Sequence, residues 1–317
     1  MYDLGKRHYA YSVSIENMKS FTEPFLVACR KFLVEEWNVT RESRFLWFFN
    51  DIVTKINKGI ADGETTQVST EGVEGSASVF CLVYTDIEAC DKLWKVNAAA
   101  MAHAVKQHNK VIRALIKRFS GYEVSRVENS FSVALKDAFT GLQFALAVQL
   151  EFMRIAPIAK EFQMIEGTEG RGDSSCWDPR TLRVRISVEH CTQANCVLDE
   201  VTNTYVYSGP SVNRCASILN VTCGGQILMA KETYQEIVNT PAFHDEPCDP
   251  FYRDLDLPSI ETVGDNSSVG LDHFVHIEKA GTATNLKGIG YPVELISVTP
   301  RCLSGRKFID KISYRKK

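Results

Sequence analysis

Apolar and polar positions follow two distinct periods along this chain, and the switches between them outline its elements. Val79 to Tyr84 is a short apolar run, long enough for a buried strand, and it ends on Thr85-Asp86-Ile87-Glu88. From about Cys90 to Phe119 the period lengthens to that of a helix. Leu93, Val96, Ala100, Ala104, Ile112, Leu115 and Ile116 supply its buried stripe, and Gly121 stops it. Residues 122–127 and 130–135 are short and alternating, as hairpin strands are. A further amphipathic helix is expected from about Ala138 to Ile155, then strands at Leu182–Val188 and Tyr205-Val206-Tyr207. Gly209 to Leu219 starts a helix with Pro210 in its first turn. Gly224 to Met229 is a turn and a buried strand, Ala230-Lys231-Glu232 opens a last helix, and Phe274–Lys279 and Tyr291–Val298 close as two strands. Elements interleaved in this way make a mixed α/β or α+β sandwich.

The flanks read differently. Residues 1–75 form an N-terminal arm and helical extension: Thr22 can cap, Pro24 suits a first turn, and Phe25, Cys29, Phe32, Leu33 and Trp37 recur at helical spacing. A second helical stretch carries Leu46, Phe49, Ile52, Val53 and Ile56. Leu46-Trp47-Phe48-Phe49 is apolar nearly all round, so it needs cover on more than one side, from the main domain or from a partner. Gly59 to Ser78 is a linker. The main domain is placed at 79–300, with long loops at about 156–181 and 240–270, and a basic tail at 301–317.

Composition narrows the class. With 317 residues, 44% hydrophobic and 24% charged, the chain resembles an ordinary soluble globular protein. A formal net charge of -3 gives no basic field, so nucleic acid is not an expected partner. No apolar run reaches the length of a membrane span, and the first twenty residues lack a secretory pattern, so a cytoplasmic location is expected. The ten cysteines are then read as thiols. His190, Cys191 and Cys196 cluster, as do His244 and Cys248, but neither group has paired CxxC spacing, and zinc is not expected. Arg171-Gly172-Asp173 is read as a loop tip, not an adhesion motif.

The candidate chemistry lies between Phe80 and Phe131. An acid at the exit of a buried strand is costly unless a cation or donor meets it. Two such acids on neighbouring strands make a two-metal site for phosphoryl chemistry. Asp86 is the first. At the position for the second stands Asn129.

Six segments in order resemble the class III nucleotidyl cyclase catalytic domain, particularly its trypanosomatid form: Thr85-Asp86-Ile87-Glu88 with Leu93-Trp94, Tyr122 to Phe131, Leu182 to Val188, Gly209 to Asn213, Gly224 to Met229, and Leu286-Lys287-Gly288 with Pro292-Val293-Glu294. The resemblance runs from about 79 to 299. It implies an α+β fold with a ferredoxin-like βαβ core, a sheet with helices on one face, and head-to-tail dimers with active sites across the interface. The implied chemistry is attack of a ribose 3′ oxygen on the α-phosphate of a nucleoside triphosphate, with two Mg2+ or Mn2+ ions held by two Asp residues. The partner-facing half supplies an Asn for the ribose, an Arg for the developing charge and purine-reading groups.

Carried over position by position, the resemblance finds most of that machinery changed. Asp86 matches the first metal ligand, and Ile87 and Asn213 match nucleotide-binding positions. The second metal ligand falls on Asn129, with Glu128 before it; Glu128 should face away, since neighbours on a strand point to opposite sides. The transition-state Arg falls on Ser217, and Arg214 lies three positions too early, on another helix face. The purine-reading pair falls on Ser125 and Val206, Ser187 replaces a usual Gly, and Glu189-His190-Cys191 replaces His-Thr-Gly. Asp91 adds negative charge beside the expected triphosphate. The expectation is a pseudoenzyme without a metal cofactor that works as a structural or interaction module. Its protein partners are expected through the N-terminal helices and the family's dimer face, by analogy in a cytoskeletal assembly such as a flagellum. The alternative is a nucleotide-binding regulator or heterodimer partner of an active cyclase; an active cyclase with rearranged ligands comes last.

Overall fold

The apolar run at Phe80 becomes β1 (Phe80–Ile87), a strand whose side chains are buried along most of its length. In the computed structural model the described residues are 80–127, 129–154, 171–177, 182–192, 194–199, 204–244 and 270–312, with Val27, Lys31, Leu46, Thr54 and Phe162 besides. After β1 come α1 (Cys90–Val96), α2 (Ala98–Arg118), β2 (Tyr122–Val127), β3 (Ser130–Leu135), α3 (Ala138–Arg154) and β4 (Arg171–Gly172). β5 (Val184–Cys191), β6 (Asn195–Asp199), β7 (Thr204–Ser208), α4 (Pro210–Leu219), β8 (Ile227–Ala230) and α5 (Lys231–Val238) follow. The described chain closes with β9 (Val275–Ala283), β10 (Val293–Pro300) and β11 (Arg306–Lys307).

Seven strands form one sheet in the order β2-β3-β1-β5-β8-β10-β9. Only β5 and β8 pair in parallel; the other neighbours are antiparallel. The α+β class of the resemblance therefore holds. Strand alternation then sorts the helices. Ile227 and Met229 of β8 point into the large core shared with α2 and α3, while Leu228 and Ala230 point into a smaller core with Ile218 of α4. Helices thus cover both faces of the sheet, not one: α3 lies on β1 and β5 beside α2 and α5, and α4 lies on the opposite face of the same strands.

Two expectations from the pattern need local correction. The helix expected from Cys90 to Phe119 is two helices, because Asn97 adopts extended backbone and its side chain accepts a hydrogen bond from the Ala100 N–H, capping α2. Val96, assigned to the buried stripe, is 50% exposed, and His108 is buried in its place. The segment read as a basic tail contributes Arg306 to the interior, where β11 pairs with β4. That pairing also fixes Arg171-Gly172-Asp173, whose aspartate caps the short 3-10 turn Ser174–Cys176.

The chain divides into two compact units, Gly72–Cys196 with Tyr207–Lys317, and Met1–Glu71 with Val197–Val206. In the second, Val27, Lys31, Leu46 and Thr54 are each helical; the other apolar positions of the N-terminal stretches lie outside the described residues. β6 and β7 form a two-stranded sheet apart from the seven. The stretches 155–161, 163–170 and 245–269, within the two long loops, also lie outside the described residues.

Candidate functional site

Asp86 sits one residue before the end of β1, flanked by β3 and β5. The carboxylate is met from both sides. The Ser130 hydroxyl donates to Oδ1 at 2.7 Å. Arg185, the direct register partner of Asp86 on β5, donates to Oδ2 through Nε at 2.8 Å and Nη2 at 2.5 Å. The cation that a strand-end acid requires is therefore a guanidinium of the same chain. Ile87, next along, is sealed in the core at 1% exposure and pairs with Val184.

Asn129 is also buried, at 8% exposure, and its amide nitrogen donates to the Cys90 sulfur at 2.7 Å. Cys90 opens α1 directly after Ala89, which holds a left-handed backbone at φ 55°. Burial is the main cause that pushes the Cys90 thiol up from its ordinary value, with Asp86 and Asp91 adding to it. Asp91 is exposed on the first turn of α1. Glu88 is held by Lys311, whose ammonium lies 3.0 Å from Oε1 and 3.3 Å from the Thr222 carbonyl. Glu128 lies outside the described residues.

The positions of the partner-facing half have turned inward or lost their charge. Asn213 is exposed on the first turn of α4. Arg214 points instead to Glu189, donating through Nε at 2.8 Å and through Nη2 to the same carboxylate oxygen. Glu189 is wholly buried, and burial pushes its carboxyl up to about 7 against the pull of Arg214. Ser217 is 6% exposed and donates to the Lys287 carbonyl at 2.6 Å, so this position faces the Leu286-Lys287-Gly288 turn. Ser125 and Ser132 share a 2.7 Å hydroxyl contact across β2 and β3. Ser187 donates to the Cys215 carbonyl at 2.9 Å on the buried side of α4. Val206 belongs to the β7 hairpin and is 49% exposed.

Sequence reasoning placed Asp86 and Asn129 on neighbouring strands; in the structure Asp86 meets Ser130 and Arg185, and Asn129 meets Cys90. It missed Arg185 and Lys311. Arg183-Val184-Arg185 does carry a signal, an alternating strand with basic residues on one face, but the identity of the acid it meets depends on strand register. Among the described residues, no group of three His, Cys, Asp or Glu side chains is placed to hold a metal ion. Among the same residues, no helix is long and apolar enough to cross a membrane.

Comparison with known proteins returns the same family as the motifs. Residues 73–252 match the adenylate and guanylate cyclase catalytic domain. Receptor-type adenylate cyclase GRESAG 4.2 of Trypanosoma brucei brucei is 33% identical over 174 residues, 49% of this chain and 30% of that relative. A receptor-type adenylate cyclase of Trypanosoma equiperdum is 29% identical over 214 residues, 60% of this chain and 45% of that relative. The chain thus spans less than half the length of these relatives. Solved adenylate cyclases from Trypanosoma brucei, in their monomeric state, share the fold. One is 25% identical with a TM-score of 0.57, covering 76% of this chain and 97% of that one. A second is 23% identical with a TM-score of 0.59, covering 78% and 99%.

Proposed function

The chain belongs to the adenylate and guanylate cyclase catalytic domain family, and from that premise we propose that it keeps the family's scaffold without its reaction and serves as a protein-interaction module. The observation that carries this reading is the charge arrangement at Asp86. Both carboxylate oxygens are engaged, one by Ser130 and the other by two N–H groups of Arg185. A divalent cation would have to displace a guanidinium and then find, at the second ligand position, a neutral amide already donating to Cys90. The donor set present does not fit a two-metal centre.

The partner-facing half supports the same reading. A cationic clamp on a transferring phosphoryl group contributes orders of magnitude to rate. Ser217 cannot supply it, and Arg214 is committed to Glu189. This chain completes neither a metal-binding half-site nor a charge-stabilising one, so pairing with an active cyclase would not restore a site through it.

The test is direct. Purified protein incubated with ATP or GTP and Mn2+ is expected to yield no cyclic nucleotide. Turnover that disappears in Asp86→Ala would overturn the proposal. A second reading, nucleotide binding without turnover, is favoured by the exposed Asn213 at the ribose-contacting position. Calorimetric titration with ATP and GTP separates the two, and a saturable heat lost in Asn213→Ala would favour the second. Affinity purification from cells, followed by mass spectrometry, tests the interaction role and the cytoskeletal setting proposed with it.

A further inference from the structure

α2 carries five Lys and Arg residues and no Asp or Glu, in a chain whose formal net charge is -3. Its inner side is apolar: Met101, Ala104, Ile112, Leu115 and Ile116 belong to the large core. On the outer side Lys106, Lys110, Arg113 and Lys117 are all exposed, at spacings of four, three and four residues. That repeat sets them on one line along the helix, about 16 Å long at roughly 1.5 Å per residue. Arg113 is met by Glu123 of β2, whose carboxylate accepts from Nε and Nη2 at 2.8 Å each. Lys106, Lys110 and Lys117 form no ion pair with a described residue.

Lys117 has a local explanation, since a cation in the last turn meets the negative end of the helix dipole. Lys106 and Lys110 lie in the middle of α2, where that explanation fails. Like charges three or four residues apart repel. The stripe holds three such pairs in succession, and α2 has no acid to relieve them. The isolated chain bears that repulsion, and a row of anions laid along the stripe would remove it. The other exposed residues of this helix include Ala98, Ala99, Ala102 and Ala114, small enough for a partner backbone to come close. No large apolar side chain of α2 is exposed to enter a lipid layer. Charge alone holds a protein on an anionic membrane through clusters of about 4–8 cations, more than the unpaired lysines here.

We propose that the outer face of α2 docks an acidic helix of a protein partner, with carboxylates recurring at the three- and four-residue spacing of the lysines. A line of cations matches a row of carboxylates better than a single anion, and such complementarity sets orientation and association rate. The inference rests on the protein-interaction reading but uses no residue of the Asp86 region, so its failure would leave the reading of that region standing.

The experiment titrates the full chain against a labelled, Ala-rich helical peptide of about 20 residues with Glu at spacings of four, three and four, and against the same peptide with Gln for Glu. Fluorescence anisotropy is expected to show saturable binding of the Glu peptide, at least about tenfold tighter than the Gln peptide and weakening as salt is raised. Lys106→Glu with Lys110→Glu is expected to weaken it at least about tenfold, and a peptide with Lys for Glu is expected to bind that variant instead. Lys279→Glu with Lys307→Glu makes the same change in net charge on β9 and β11 and is expected to leave binding unchanged. Equal affinity for the Glu and Gln peptides, equal losses in the two variants, or tighter binding to phosphatidylserine vesicles or duplex DNA than to the Glu peptide would each overturn the proposal.

Discussion

Arg185 and Asp86 face each other as register partners on β5 and β1, and the guanidinium closes on one carboxylate oxygen through two N–H groups. Both side chains are mostly shielded, at 25% and 17% exposure. An internal cation therefore neutralises this carboxylate within the fold. The arrangement also explains how a half-buried acid is tolerated at the end of β1. Its charge is balanced by the fold.

Releasing that balance should restore metal affinity without restoring turnover. At about 4 Å and an effective dielectric of 20, a unit positive charge opposes a divalent ion by roughly 8 kcal/mol before screening. Arg185→Ala with Asn129→Asp is expected to bind Mn2+ at least about tenfold more tightly than the wild-type chain. Calorimetry or the loss of the free Mn2+ paramagnetic signal measures it. Cyclic nucleotide should stay absent, because Ser217 still provides no cation. Equal Mn2+ affinity in the two proteins would show that the guanidinium is not the obstacle.

How far the sequence reaches is set by whether a feature is local. The bounds of the hairpin at 122–127 and 130–135 are legible to the residue, since two short alternating stretches flank a turn, but the register shift between Glu123 and Ser125 is not. The neutral residues at 125, 129 and 217 are legible as residue types. Their partners are not: Asp86 and Arg185 are 99 residues apart, and Asn129 meets Cys90 across 39. Strand register decides such pairs, and it is a property of the assembled sheet. The break at Asn97 was readable in principle, because an asparagine three residues before Ala100 is a common helix cap. A continuous apolar stripe on both sides of it masks that signal.

His108 makes stability fall in mild acid. It is fully buried on α2 between Phe131 and Phe152, at ring separations of 5.7 and 5.4 Å, and Nε2 has no hydrogen-bond partner among the described residues. Burial lowers its pKa from 6.5 to about 4. The unfolded chain takes up the proton first, so this contribution is full above about pH 6.5 and is lost as pH falls towards 4. The difference corresponds to about 3 kcal/mol. Urea unfolding between pH 7 and 4.5 should show a shallower decline in His108→Leu than in the wild-type chain. Parallel profiles would remove His108 from the account.

Glu189 and Arg214 give the opposite slope. The Glu189 carboxyl is pushed up to about 7 from 4.5, so its contribution is full below about pH 4.5 and is lost as pH rises through 7. Arg214→Met removes the charge that pulls the Glu189 carboxyl down, so the buried acid keeps its proton near neutrality and the variant loses the ion pair that the wild-type chain gains as pH rises through about 7. The destabilisation should shrink at pH 5, where Glu189 accepts a proton, and Glu189→Gln with Arg214→Met should cost less than Arg214→Met alone. Comparing variant and wild type at each pH cancels the other titrating groups. A deficit that does not change between pH 5 and 8 would mean that lost packing, not charge, is responsible.

The approach of α3 to the sheet depends on the missing side chain at Gly141. A Cβ there would lie 2.3 Å from the Cys81 sulfur and 3.3 Å from Val188, and both neighbours are fully buried strand residues. Neither can yield as an exposed flexible side chain would. Glycine inside a helix is ordinarily worse than alanine by about 1 kcal/mol, so propensity alone would make Gly141→Ala stabilising. Overpacking costs about 1–3 kcal/mol and reverses the sign. The net expectation is a loss of about 1–2 kcal/mol in chemical denaturation. Cys81→Ala removes the sulfur that causes the nearest clash, so adding Gly141→Ala to Cys81→Ala should be neutral or stabilising. A double-mutant cycle isolates that coupling. If Gly141→Ala is equally harmful in both backgrounds, the contact with Cys81 is not what requires glycine.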